Sequence, residues 1–189
     1  MKRRLFLIRH GAPEGAWGGD LADPGLSALG RAQARAAAGR LAGPLLLVSS
    51  PMRRCRETAA PAEQTLGLQA RIEPRVSEVQ APAGTEDRRA WLAENFPWAD
   101  GVGRRTWRTL SPGLHDWRAH VLAAAKTIDM DTAIFTHFIA INAIVGAALG
   151  REATIVCRPD HASITELAVE DGALRLIGLG VEMNNGEVR

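Results

Sequence analysis

The sequence predicts an α/β protein: a three-layer α/β/α sandwich around a mostly parallel central sheet, with a C-terminal hairpin. Three observations carry this. Short apolar runs at 5–8 (LFLI), 45–48 (LLLV) and 133–135 (AIF) have the length of buried strands. Helical patterns alternate with these runs, which is the arrangement that builds parallel sheets. Near the end, Thr165, Leu167 and Val169, then Glu170-Asp171-Gly172-Ala173, then Leu174 and Leu176 spell two strands about an Asp-Gly turn.

The elements follow in order. Beyond the first run a Gly-rich loop spans 11–25, and a helix begins at Leu26-Ser27 with Ser27 as N-cap and Gly43-Pro44 as its stop. Strand 45–48 leads into a second helix that starts near Pro51, a residue suited to a first turn, and runs towards Leu66-Gly67 with a kink at Pro61. A weak strand lies at 70–73. Residues 77–111 then change character: Pro82, Gly84, Pro97, Gly101 and Gly103 interrupt the pattern, while Trp91, Phe96, Trp98 and Trp107 concentrate there. This predicts a helical or irregular insertion packed over the edge of the sheet. Ser111-Pro112 restarts a helix whose apolar stripe is Leu114, Trp117, Val121, Leu122, Ala125 and Ile128. A strand at 132–136 and a helix at 139–149, closed by Gly150, repeat the theme before the hairpin. No internal repeat is visible, and 1–189 is expected to form one domain.

Composition narrows the function classes. Hydrophobic residues make up 46% and charged residues 23%, which are ordinary values for a soluble enzyme and argue against disorder. A net charge of +2 is too small to imply a nucleic-acid partner. The start, Met1-Lys2-Arg3-Arg4, imitates a signal peptide, but its apolar stretch lasts four residues before Arg9 and His10, too short for export or a membrane span. Cys55 and Cys157 are expected to be reduced thiols, and the protein cytoplasmic with no membrane partner.

Side chains just past the carboxyl ends of parallel strands converge in one crevice. The three apolar runs break off into Arg9-His10-Gly11, Ser49-Ser50-Pro51-Met52-Arg53-Arg54 and Thr136-His137, so the topology brings histidines and arginines together. Arg9 has a planar fork suited to phosphate oxygens, and Gly11 lets the chain turn sharply. Arg53, Arg54 and Arg56 fall in the first turns of a helix, where free N–H groups attract an anion. Adjacent helical residues point about 100° apart, so the three cannot all face the crevice, and one of them is expected to be the ligand. His137 again sits beside a helix N-terminus. A zinc site is the rival reading for two convergent histidines, and it would need a third ligand such as His161 with Asp160.

Arg9-His10-Gly11, the stretch Asp23-Pro24-Gly25-Leu26-Ser27-Ala28-Leu29-Gly30-Arg31-Ala32-Gln33-Ala34, and Ser49-Ser50-Pro51-Met52-Arg53-Arg54-Cys55-Arg56-Glu57-Thr58-Ala59 together resemble successive signatures of the histidine phosphatase superfamily, the phosphoglycerate-mutase-like proteins. The resemblance implies a covalent mechanism without metal or other cofactor. His10 would be the nucleophile that becomes phosphohistidine, Arg9 and Arg54 would bind the transferring phosphoryl group, and His137 would be the second pocket histidine. Glu78, in Val76-Ser77-Glu78, takes the position of the family's proton donor, with Glu86 and Asp87 as the nearest substitutes. A phosphate monoester is mostly dianionic near neutral pH, its second pKa being ~6, so two arginines and a protonated His137 would neutralise it. His10 must be neutral to attack, and nearby cations favour that form.

The chain also departs from the family pattern. Phe138 stands where a Gly usually follows the second histidine, and Ala12, Pro13 and Ala16 stand where the family has phosphate-binding side chains. Mutases of the family are typically longer, so 189 residues read as a phosphatase acting on a small phosphorylated metabolite, such as a sugar or nucleotide-precursor phosphate. Two alternatives accompany that reading: a phosphohistidine protein phosphatase, which residues 77–111 argue against, and a catalytically silent phosphate-binding protein. The Trp-rich segment reads equally as a partly apolar substrate rim and as packing. Oligomeric state is not legible.

Overall fold

A computed structural model of the chain describes residues 1–15, 23–43, 45–98 and 103–183; Ala16, Pro44, Gly101 and much of the Gly-rich loop lie outside the described residues. Strand β1 (Lys2–Arg9) sets the layers, because its side chains alternate between two cores. Leu5 and Leu7 belong to one hydrophobic cluster, Phe6 and Ile8 to the other. Strand β4 (Thr132–Thr136) divides in the same way, with Ile134 on one side and Ala133 and Phe135 on the other. Helix α1 (Ala28–Ala38) and helix α2 (Arg53–Leu66) cover the second cluster with Ala37, Ala38, Cys55, Ala59 and Ala62. Helix α4 (Pro112–Lys126) and helix α5 (Phe138–Ala148) cover the first.

With β2 (Leu46–Ser49), β3 (Arg71–Ile72), β5 (Ile164–Glu170) and β6 (Ala173–Gly178), the six strands run in the order β3-β2-β4-β1-β5-β6. The β3-β2-β4-β1 portion is parallel, and β5 joins β1 antiparallel before returning through β6. The sheet is therefore mixed and mostly parallel, as expected, with the expected hairpin. Its turn residues Asp171 and Gly172 have φ of 50° and 76°, the paired positive values that a two-residue turn between right-twisted strands demands.

Local signals explain most boundaries. Ser27 caps α1, its hydroxyl accepting from the Gly30 amide at 3.1 Å. Helix α1 ends at Ala38, earlier than the Gly43-Pro44 stop: Gly39 closes it and Leu41 turns down into the core. Helix α2 starts at Arg53, two residues after Pro51, and the Asp23 carboxylate accepts from the Arg53 amide at 2.9 Å in its first turn. It passes unbroken through Pro61 and ends at Gly67, whose φ of 67° is the left-handed cap. In the stripe of α4, Leu114, Val121 and Ala125 are buried, and Trp117, Leu122 and Ile128 pack against the same core.

Within 77–111 the described residues form helix α3 (Arg88–Asn95), which Asp87 caps, and a short 3-10 turn at Trp107–Thr109. The aromatic rings resolve in favour of packing. Phe96 and Trp107 are fully buried, Trp107 stacks on Trp117 with centroids 6.1 Å apart, and Phe96 meets Trp107 edge-on at 5.8 Å.

The loop after β1 is pressed against α1. A Cβ on Gly11 would lie 2.5 Å from the Gly30 carbonyl oxygen, and one on Gly30 would meet the Ala12 carbonyl oxygen. Both obstacles are backbone and cannot swing away. Gly30→Ala is therefore expected to cost about 1–3 kcal/mol, read as a fall of several degrees in Tm by thermal denaturation.

Candidate active site

Register brings the parallel strands to a common finish. Arg9 lies opposite Thr136 and Ser49 opposite Phe135, so the residues that follow leave the sheet at one level. The His10 amide donates to the Thr136 carbonyl at 3.0 Å, and the Ser50 amide to the Phe135 carbonyl at 3.0 Å. His10 and His137 thereby meet with ring centroids 5.3 Å apart. Arg54 is the arginine of its cluster that turns inward: it is 9% exposed, while Arg53 and Arg56 are exposed, with Arg53 paired to Glu57 at 2.6 Å. One Arg54 nitrogen, Nη2, stands 3.1 Å from His137 Nδ1. Arg9 is wholly buried, donating to the Pro159 carbonyl at 2.9 Å. All five residues singled out in the sequence, Arg9, His10, Arg54, Glu78 and His137, are buried, and the charges of Arg9 and Arg54 act on the other three.

Hydrogen bonds decide the tautomers. Nδ1 of His10 is 2.9 Å from the Gly11 carbonyl, and a carbonyl only accepts, so Nδ1 carries the proton and Nε2 the lone pair. Burial above all, then Arg54, His137 and Arg9, push this imidazole well below the usual histidine range; the Gly11 bond opposes them weakly. His10 is a neutral base at neutral pH. His137 is set the other way round. Its Nδ1 accepts from the Arg54 guanidinium, and Nε2–H donates to the Ser50 hydroxyl at 2.8 Å. Burial, then Arg54, Arg9 and Arg88, hold it well below its usual range too, which corrects the expectation of a protonated His137: desolvation first, and the neighbouring cations after it, keep it neutral. Burial draws Arg9 down to about 10, which leaves it charged.

Phe138 explains itself here. Phe138 is 3% exposed and its ring lies under the Arg9 guanidinium, 5.3 Å from Cζ to centroid, so the side chain that stands where a Gly was expected supports the buried guanidinium. Gly11 and Ala12 work through backbone. The Ala12 amide donates to Gln33 at 2.9 Å, its carbonyl accepts from the Ser27 amide at 2.9 Å, and the Gly11 amide donates to Thr58 at 2.9 Å.

The two helix N-termini, read from the sequence as open anion sites, already hold protein carboxylates. Asp23 takes the Arg53 amide on α2. Glu78 takes the Ile139 amide on α5 at 3.1 Å with one oxygen and its neighbour Val79's amide at 3.0 Å with the other. Burial raises the Glu78 carboxyl above its usual range, with the two amides and Arg54 and Arg9 pulling against it. The substitutes do not compete: Glu86 and Asp87 are exposed, and Asp87 is engaged as the α3 cap.

One residue of this crevice escaped the sequence reading except as a metal candidate. The His161 ring lies 5.6 Å from that of His10, tilted by 48°. Its signal was topological: β5 runs antiparallel to β1, with Ile164 opposite Ile8, so the residues just before β5 arrive beside the end of β1. Among the described residues no group of three or more His, Cys, Asp or Glu side chains is placed to hold a metal ion, His161 and Asp160 included.

Two buried imidazoles flanked by two buried arginines, at the carboxyl edge of a mostly parallel α/β sheet, give this crevice the charge to attract an anion. The chain belongs to the histidine phosphatase superfamily (branch 1), whose family model matches residues 5–182. Glucosyl-3-phosphoglycerate phosphatase of Mycobacterium tuberculosis is 42% identical over 81 residues, which cover 40% of this chain and 36% of that protein; the match thus spans about a third of the relative's length. Over the whole fold, a mycobacterial glucosyl-3-phosphoglycerate phosphatase solved with VO3 superposes at a TM-score of 0.70 with 28% identity, covering 95% of this chain and 100% of that one. A structure described as mycobacterial hydrolase 1 gives 0.71 and 26%, covering 97% and 100%.

Proposed function

We propose that the protein is a metal-independent phosphomonoesterase that hydrolyses a small phosphorylated metabolite through a phosphohistidine at His10. The observation that carries this is the state of His10: Nδ1–H is tied to Gly11, Nε2 is unprotonated, and the ring is held neutral beside Arg9 and Arg54. Nε2 attacks phosphorus, the ester P–O bond breaks, and the leaving oxygen takes the proton of Glu78, whose raised affinity for protons suits that task. Water then attacks phosphorus, the N–P bond breaks, and the Glu78 carboxylate receives the water's proton. Arg9 and Arg54 hold the equatorial oxygens throughout, and His137 lines the same pocket, its Nδ1 accepting from the Arg54 guanidinium. The likeness to glucosyl-3-phosphoglycerate phosphatase supports a metabolite rather than a protein substrate. Among the described residues no helix is long and apolar enough to cross a membrane, and Cys55 and Cys157 are free thiols, which suits a cytoplasmic enzyme.

The test is release of phosphate from p-nitrophenyl phosphate with chelator present, together with a protein mass increase of one phosphoryl group on rapid acid-free quenching. A protein that binds phosphate but releases none from any monoester would be the silent binder instead. Glu78→Gln separates the acid from the cradle. It is expected to lower turnover of an alkyl phosphate about 10²–10⁴-fold, and that of p-nitrophenyl phosphate much less, because p-nitrophenolate departs without a proton. Equal losses on both substrates would leave Glu78 as a cap of α5 alone.

A further inference from the structure

We propose that His161 is a third catalytic imidazole of this crevice, donating an N–H to a non-bridging oxygen of the phosphoryl group while that group is carried on His10; the proposal rests on the phosphohistidine reading above. Three independent observations meet at this residue. Its side chain is 7% exposed, and its ring stands 5.6 Å from the His10 ring at a 48° tilt, so the two rings border the same crevice. The backbone is bent to put it there. Ala162, the next residue, has a φ of 54°, a left-handed conformation that alanine rarely adopts. It is fastened to the nucleophile's own backbone, the Ala162 amide donating to the Arg9 carbonyl at 3.0 Å and approaching the His10 carbonyl at 3.3 Å. Finally, Asp160 stands behind: its carboxylate accepts from the His161 amide at 2.7 Å and lies 4.0 Å from Nδ1 of the same ring.

The arrangement has a chemical use. A phosphoryl group on its way between an ester and His10 Nε2 spreads charge over three equatorial oxygens. Arg9 and Arg54 approach from the β1 and α2 sides, whereas His161 approaches from the segment before β5. An N–H from that third direction stabilises charge on the oxygen that faces it. His161 keeps its proton throughout; the bonds broken and formed remain those at phosphorus.

His161→Ala tests this against simple packing, with His161→Asn and His161→Gln as variants that restore a side-chain N–H. Orthovanadate, which takes the trigonal bipyramidal geometry of the transition state, serves as probe in calorimetry and as inhibitor in turnover of p-nitrophenyl phosphate. The expected result is a fall in kcat and a weakening of vanadate binding, each about tenfold or more, with KM changed far less and with recovery in the Asn or Gln variant. Unchanged kcat and vanadate affinity in His161→Ala overturn the proposal. So does a loss that the Asn and Gln variants share in full, accompanied by a lowered Tm, since that is the signature of packing. Because vanadate binding is read without turnover, a wild-type protein that binds vanadate yet hydrolyses nothing would sink the phosphatase reading while still deciding the role of His161 as an oxyanion contact.

Discussion

His10→Asn is expected to fold normally and to lose turnover by more than about 10³-fold. Asparagine places an N–H close to where His10 Nδ1 donates to the Gly11 carbonyl at 2.9 Å, so the loop after β1 keeps its anchor. It has nothing in place of Nε2. The ring is only 5% exposed and neutral, so removing it leaves no buried charge stranded, and stability should change little. His10→Ala should be as inactive but less stable, because it also strips the Gly11 carbonyl of its donor. The measurement is turnover of p-nitrophenyl phosphate beside a Tm for both variants, with the phosphoryl adduct sought by intact mass. A His10→Asn protein that still turned over within tenfold of wild type, or still acquired the adduct, would mean that another group is the nucleophile.

Arg54→Ala is expected to lower kcat/KM about 10²–10⁴-fold, the range seen when a guanidinium leaves a transferring phosphoryl group. Its effect on pH is more diagnostic than its size. Arg54 is, after burial, the largest influence holding both His10 and His137 below the usual histidine range. Removing its charge lets both rise. At a given acidic pH a larger share of His10 is then protonated and unable to attack, so the acid limb of kcat/KM moves to higher pH. Part of the lost activity should return as pH is raised. Arg54→Lys keeps a charge but not the fork that reaches His137 Nδ1 at 3.1 Å, so its limb should stay near wild type while its rate is intermediate. A profile for Arg54→Ala that superimposes on wild type would show that Arg54 does not govern the nucleophile.

Much of the molecule could be read from short windows of sequence. Four apolar residues ending in Arg9-His10 mark a buried strand and its useful end, Ser27 marks a cap, and Asp171-Gly172 marks a turn, because each signal acts over a few bonds. The geometric rule that neighbouring helical residues diverge was enough to foresee that the three arginines do not all face inward, and the structure makes Arg54 the buried one. Reading failed where a distant partner decides. The first turn of α2 is occupied by Asp23, thirty positions earlier, whose carboxylate accepts from the Arg53 amide. The α5 N-terminus is filled by Glu78 from a separate segment. Trp107 and Phe96 face each other and Trp117 rather than a substrate rim, a choice that composition leaves undecided.

By itself, the amino-acid order determined the strand and helix sequence, the residues standing at the strand ends, and hence which side chains this protein has available for chemistry. The tertiary structure alone decided their charge and company. His137 is neutral because burial and Arg54, Arg9 and Arg88 act on it together, and His161 stands beside His10 because β5 enters the sheet antiparallel to β1. Backbone preferences and caps operate within a turn or two of chain, whereas desolvation and Coulomb fields sum over groups that only folding brings near.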